Sequence, residues 1–135
     1  MSDARKRGRR NRAKGGEYER EVAERFRLAG IAAIREGFKQ RRKGDKEPDV
    51  AAGIFAVECK NTERLSIHAE MELADLAEGL PVLVWKRPRI IKGGKVIAKK
   101  SEVVCLRPET FFALATVFHR VWVDAASAVV TVGES

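Results

Sequence analysis

Pro48-Asp49-Val50-Ala51-Ala52-Gly53-Ile54-Phe55-Ala56-Val57-Glu58-Cys59-Lys60 is the stretch that decides how this chain reads. Asp49 to Ala52 and Ile54 to Lys60 predict two short strands that turn near Gly53. Strand side chains alternate between faces, so Phe55, Val57 and Cys59 share a face suited to a core, and Glu58 and Lys60 share the other. Asp49 opens the preceding strand, and a hairpin returns it beside Glu58. Two carboxylates and an ammonium group then converge at one end of a sheet.

That trio suits phosphodiester hydrolysis. The reaction needs a hard divalent cation on oxygen ligands, an activated water and charge stabilisation at phosphorus. Asp49 and Glu58 can supply the ligands, and the Cys59 backbone carbonyl a third oxygen. Lys60 can position or deprotonate the water and stabilise developing negative charge. The bare pattern is common in a chain so rich in charge, and the bland reading is an i, i+2 pair on an exposed edge strand. Three features of its context single it out. It sits on an apolar strand pair, basic segments flank it, and Glu19 is the one acidic residue on the buried face expected for the first helix. A carboxylate there calls for a metal, an arginine or a lysine.

Outward from this centre, residues 16–29 read as a helix stopped by Gly30, with Tyr18, Val22, Phe26 and Ala29 on one face. Ile31 to Arg35 suits a strand, and residues 36–47 a polar, basic loop. Ile67 to Glu78 reads as a second helix with Ser66 as its N-cap. Pro81 to Trp85 is a wholly apolar central strand. Gly93-Gly94 between apolar pairs signals a hairpin. Val103 to Leu106 is a further strand, and Pro108 to about Arg120 a third helix. The apolar tail 121–132 suits either a core or a subunit interface. Helices and strands in this order predict an α/β domain, a central mixed sheet flanked by helices.

The chain has 135 residues and a net charge of +8. Arg5, Lys6, Arg7, Arg9, Arg10, Arg12 and Lys14, against Asp3 alone, concentrate most of that excess in residues 1–14. Such a segment offers almost no apolar surface, so it is expected to be a disordered arm lying on phosphates. Residues 15–135 are expected to form a single nuclease domain. Lys39, Arg41, Arg42 and Lys43 in one loop, and Lys86, Arg87, Lys92 and Lys95 in another stretch, suggest a DNA cradle around the carboxylates. Cys59 and Cys105 lack C-x-x-C spacing, which excludes a zinc knuckle and suits a reducing cytoplasm. His68 and His119 stand in no ligand pattern. No phosphate-binding loop exists, so no nucleotide cofactor is expected. No apolar run is long enough for a membrane span.

In combination these segments resemble the archaeal-type Holliday junction resolvases, a PD-(D/E)XK nuclease branch also found in viruses. Lys14-Gly15-Gly16-Glu17-Tyr18-Glu19-Arg20-Glu21 is similar to the family's N-terminal signature, and Glu19 falls on its first catalytic glutamate. Gly30 to Arg35 is similar to its Gly-Phe-x-x-x-Arg segment, Asp49 to its metal-binding aspartate and Glu58-Cys59-Lys60 to its Glu-x-Lys. Pro81 to Lys86 is similar to its later central strand ending in lysine. The resemblance spans roughly residues 14–110. It implies the restriction-endonuclease-like fold, with Glu19, Asp49, Glu58 and Lys60 catalytic. It implies Mg2+ or Mn2+ held by Asp49, Glu58, the Cys59 carbonyl and Glu19. Arg35 joins the DNA-binding set. The implied protein is a homodimer acting on four-way junctions in the cytoplasm, that of a host if the source is viral. The loop before Asp49 lacks the serine the family often has, and Glu70 or Glu72 stands where related nucleases often carry glutamine. A nuclease for flaps, nicks or duplex DNA, and a non-catalytic architectural protein, are the alternatives.

Overall fold

The computed structural model describes residues 2–36 and 47–133, without side-chain detail for Asn11 and residues 128–133. The basic loop with Lys39, Arg41, Arg42 and Lys43 lies outside the described residues. Helix α1 spans Asp3–Leu28, and strands β1, β2 and β3 span Ala33–Arg35, Val50–Ala52 and Phe55–Asn61. Helix α2 (Ile67–Ala74) leads to β4 (Leu80–Arg87). Strands β5 (Ile90–Lys92), β6 (Lys95–Ala98) and β7 (Ser101–Leu106) precede helix α3, Pro108–Gly133. The main sheet runs β1-β2-β3-β4-β7, and β5 and β6 make a separate two-stranded sheet. β1, β2 and β3 pair antiparallel in succession. β3 and β4 are parallel, so the chain must cross over between them, and α2 lies in that crossover. The α/β fold with a mixed, helix-flanked sheet is as the sequence predicts.

The β2–β3 turn is two residues long, with Gly53 at φ 53°. A left-handed residue at that point costs glycine little and other residues more. The turn fixes the register Val50↔Val57, which makes Asp49 and Glu58 the next residues across the pair.

α1 packs on β1, β2 and β3, and α2 packs on β3 and β4. Tyr18, Val22 and Ala23 of α1, Val50 and Val57 of the sheet, Leu83 of β4 and Met71 and Ala74 of α2 are all buried. Phe55 meets the ring of Phe26 on α1, whereas Lys60 reaches Glu70 on α2. β3 is therefore covered on both faces. This removes the bland reading of an exposed edge strand: β3 lies between β2 and β4, and Glu58 is only 6 % exposed.

Three boundaries also differ from the sequence reading. Residues 3–14, expected as a disordered arm, are the first turns of α1. Ser2 caps them by accepting the Arg5 amide on its Oγ at 3.4 Å, with Asp3 in the first turn where the helix dipole favours an anion. α2 ends at Ala74 rather than Glu78. α3 continues through the apolar tail to Gly133, since no glycine or proline interrupts it before that point. The chain separates into two compact units, Met1–Cys105 and Leu106–Ser135. No helix among the described residues is long and apolar enough to cross a membrane.

Candidate active site

Asp49 sits just before β2, at the mouth of the β2–β3 pair. Its Oδ2 accepts the Cys59 backbone amide at 2.9 Å. The side chain thus continues the β2–β3 ladder by one rung and fixes the carboxylate beside the chain that carries Glu58. Asp49, Cys59 and Lys60 line a cleft of about 530 Å3 together with Lys14, Gly15 and Glu19 of α1 and Asn61, Thr62, Glu63 and Pro88.

Glu19 enters from α1. Arg35 of β1 donates to its Oε2 at 3.1 Å, and both side chains are largely buried, 14 % and 17 % exposed. A carboxylate at this depth requires such a partner. Arg35 is therefore engaged with Glu19 at the edge of the cleft. Lys60 leans the other way, with Nζ 3.5 Å from Glu70 Oε2. That Glu70 oxygen is buried and makes no hydrogen bond, so the contact is a long ion pair.

The buried Cys59 thiol registers the local field. Burial pushes its pKa up first, and the charges of Asp49, Glu19 and Glu58 push it further, with Arg35 opposing. Cys59 is thereby kept a neutral thiol, and three carboxylates act on one point of β3.

α1 is held in place by a second polar group. The Tyr18 hydroxyl donates to Glu102 Oε2 at 2.8 Å, and Arg25 donates to Glu102 Oε1 at 2.7 Å. Burial and then the bond to Glu102 drive the Tyr18 pKa up. For Glu102, burial acts upward, but the bonds from Arg25 and Tyr18 outweigh it and the carboxyl pKa falls. Lys86 of β4 bonds Glu21 at 3.2 Å and lies over the Tyr18 ring, 5.5 Å from its centre. Trp85 Nε1 donates to the Thr62 carbonyl at 2.9 Å, fixing the chain after β3 along the cleft.

The expected DNA-binding residues fall into two groups. Arg5, Lys6, Arg7, Arg9, Arg10, Arg12 and Lys14 are exposed along α1, and Lys92 and Lys95 are exposed at the β5–β6 turn. Lys86 and Arg87 are partly buried and engaged, Lys86 with Glu21 and Arg87 with the Lys99 carbonyl at 3.0 Å. The sequence reading missed Asn61, Thr62, Glu63 and Pro88 in the cleft wall, and only the placement of Glu70 near the glutamine position of related nucleases hinted at its part.

Among the described residues no three histidine, cysteine, aspartate or glutamate side chains form a ready metal cluster. The donor set nonetheless suits a hard cation of the magnesium kind. Such an ion keeps most of its waters and takes one or two carboxylates, and Asp49 and Glu58 are adjacent in register. Glu19, expected as a further ligand, is paired with Arg35 in this arrangement.

The sequence profile of the archaeal Holliday junction resolvase (hjc) family matches residues 10–116. No curated protein and no solved structure matches the chain. The matched span runs from α1 through the first turns of α3 and contains every residue of the cleft.

Proposed function

The chain belongs to the archaeal Holliday junction resolvase family, and we propose that Asp49, Glu58 and Lys60 form the centre with which it cuts DNA. It is a junction-resolving endodeoxyribonuclease that binds branched DNA. Nucleases of this kind generally depend on a divalent metal. Asp49 and Glu58 would hold it, with the Cys59 carbonyl as a third oxygen and Mg2+ or Mn2+ as the ion. When bound, the cation supplies positive charge to the scissile phosphate and makes water more acidic.

The chain's own side chains divide the remaining work. Lys60 donates to the scissile phosphate and offsets the charge that builds on it. Glu19, steadied by Arg35, accepts from the attacking water and orients it. The amide of Cys59 keeps Asp49 aimed along the end of β3. The basic side chains of α1 and of the β5–β6 turn bind phosphates of the arms. The single observation that carries the reading is Asp49 locked on the Cys59 amide, in register with Glu58, in one cleft with Glu19 and Lys60.

A homodimer follows from the substrate's symmetry. Two active sites related by a two-fold axis match the two opposed strands of a four-way junction. Labelled junction and its linear arm duplexes, incubated with Mg2+ or Mn2+ and with a chelator, test the whole proposal. Paired symmetric cuts in the junction alone, absent with chelator, are expected. Equal cutting of linear duplex would remove the junction-specific reading, and cutting in chelator would remove the metal-dependent one.

A further inference from the structure

Strands β5 and β6 stand apart from the main sheet as a two-stranded ribbon. An isolated ribbon of this size is marginal in water unless something holds it. Its base is fastened: Arg87 donates to the Lys99 carbonyl at 3.0 Å, across the two ends of the hairpin. Its tip is a two-residue turn with Gly93 and Gly94 at φ 58° and 73°. Both values are left-handed, as a tight hairpin turn matching strand twist requires.

The register makes the ribbon amphipathic. Ile91 pairs with Val96 and Lys92 with Lys95, so each pair occupies one face. Ile91 and Val96 are 51 % and 53 % exposed. Ile97, at the irregularity between the two registers, is 56 % exposed. A short ribbon that leaves these groups in water is suited to a partner with both apolar and anionic surface. From Arg87 to Lys100 the sequence has six basic side chains and no acidic one. That charge disfavours a second copy of the same hairpin, by like-charge repulsion, and favours nucleic acid. Pro88, two residues before the ribbon begins, lines the catalytic cleft. Whatever occupies the cleft therefore runs past the base of the hairpin.

We infer that the β5–β6 hairpin is a branch-point wedge: its Ile91–Val96 face packs against base pairs at the centre of the junction while Lys92 and Lys95 bind flanking phosphates. A linear duplex stacks its base pairs continuously and offers apolar base faces only at its ends. A junction interrupts the stack where strands exchange. Isoleucine-type side chains open base steps by such insertion in other DNA-bending proteins. The inference rests on the reading of the cleft as the nuclease site, because the cleft brings the junction to the ribbon.

The test uses the full chain in chelator, a four-way junction carrying 2-aminopurine beside the branch point, and a linear duplex of one arm. Wild type is expected to raise the fluorescence of the junction as the base unstacks. Ile91→Ser with Val96→Ser is expected to erase that rise and to weaken junction binding about tenfold more than duplex binding. Lys92→Ala with Lys95→Ala is expected to weaken both and to flatten the salt slope by roughly two. No rise with wild type, or equal losses on both DNAs in the serine variant, would overturn the wedge. A shift from dimer to monomer in the serine variant, seen by sedimentation, would also overturn it, making the ribbon a contact between copies. Junction cutting by wild type in Mg2+ is scored separately. A fluorescence rise without cutting would leave the wedge and remove the nuclease reading, and cutting without a rise would do the reverse.

Discussion

Lys60 has a charged neighbour, Glu70, and in the proposed reaction would also meet the substrate's phosphate. The Glu70 contact at 3.5 Å is a charge interaction without a hydrogen bond. It holds the ammonium group in place and also competes with phosphate for it. Glu70→Gln keeps the shape and removes the charge. Cleavage at saturating DNA is expected to fall by about tenfold as Lys60 loses its anchor. DNA affinity is expected to hold or rise, since one negative charge leaves the cleft. Single-turnover rates alongside binding curves check this, and an unchanged rate would deny Glu70 a positioning part. The register that sets Asp49 across from Glu58 was legible in the sequence because strand alternation and a glycine turn act over a few residues. The Glu70 pair and the burial of Glu58 were not, because both depend on where α2 lands. The Arg35–Glu19 pair was likewise not legible, because its two halves lie on different elements.

α1 carries both the exposed basic side chains and two residues of the cleft wall that the proposed function uses. Its second half is fastened to the body through Tyr18, Arg25 and Glu102 and through Glu21 and Lys86. Its first half carries six arginines and lysines before Lys14, all exposed. Lys14 and Glu19 of the same helix line the cleft. In the proposed reading, phosphates bound along its first turns would thereby be placed with respect to the carboxylates. Deleting residues 1–13 is expected to weaken junction binding and to lower the slope of affinity against salt by up to roughly five. Titrations at several salt concentrations check it, and an unchanged slope would leave those turns without a part in binding. Low apolar content spoke for a disordered segment. Alanine and arginine favour helix and Ser2 caps it, so the same residues sustain one when the body continues it. The tail posed the opposite difficulty. β-branched residues after Arg120 suggested strand or interface, yet with no breaker before Gly133 the helix runs on.

For the whole molecule, the family match and the two compact units divide the chain differently. Unit Met1–Cys105 contains the cleft, the hairpin and the basic turns of α1. Unit Leu106–Ser135 is essentially α3, where Phe112, Phe118 and Trp122 are each well over half exposed and Phe118 stacks on Trp122. Residues from Val117 onward lie past the family match. An apolar surface of this kind suits association, and under the proposed dimer a second copy of the chain would be its occupant. The layered sheet was readable because strand and helix periods differ along the sequence. The division into units was not, because it depends on long-range contacts. All of this serves one centre, so the decisive measurement is Glu58→Ala, assayed for both cleavage and binding of a four-way junction in Mg2+. The account predicts that cleavage disappears while affinity stays the same or rises, because a carboxylate facing phosphate opposes binding and serves only the chemistry. Retained cleavage, or cleavage and affinity lost together, would contradict a catalytic centre at Asp49, Glu58 and Lys60.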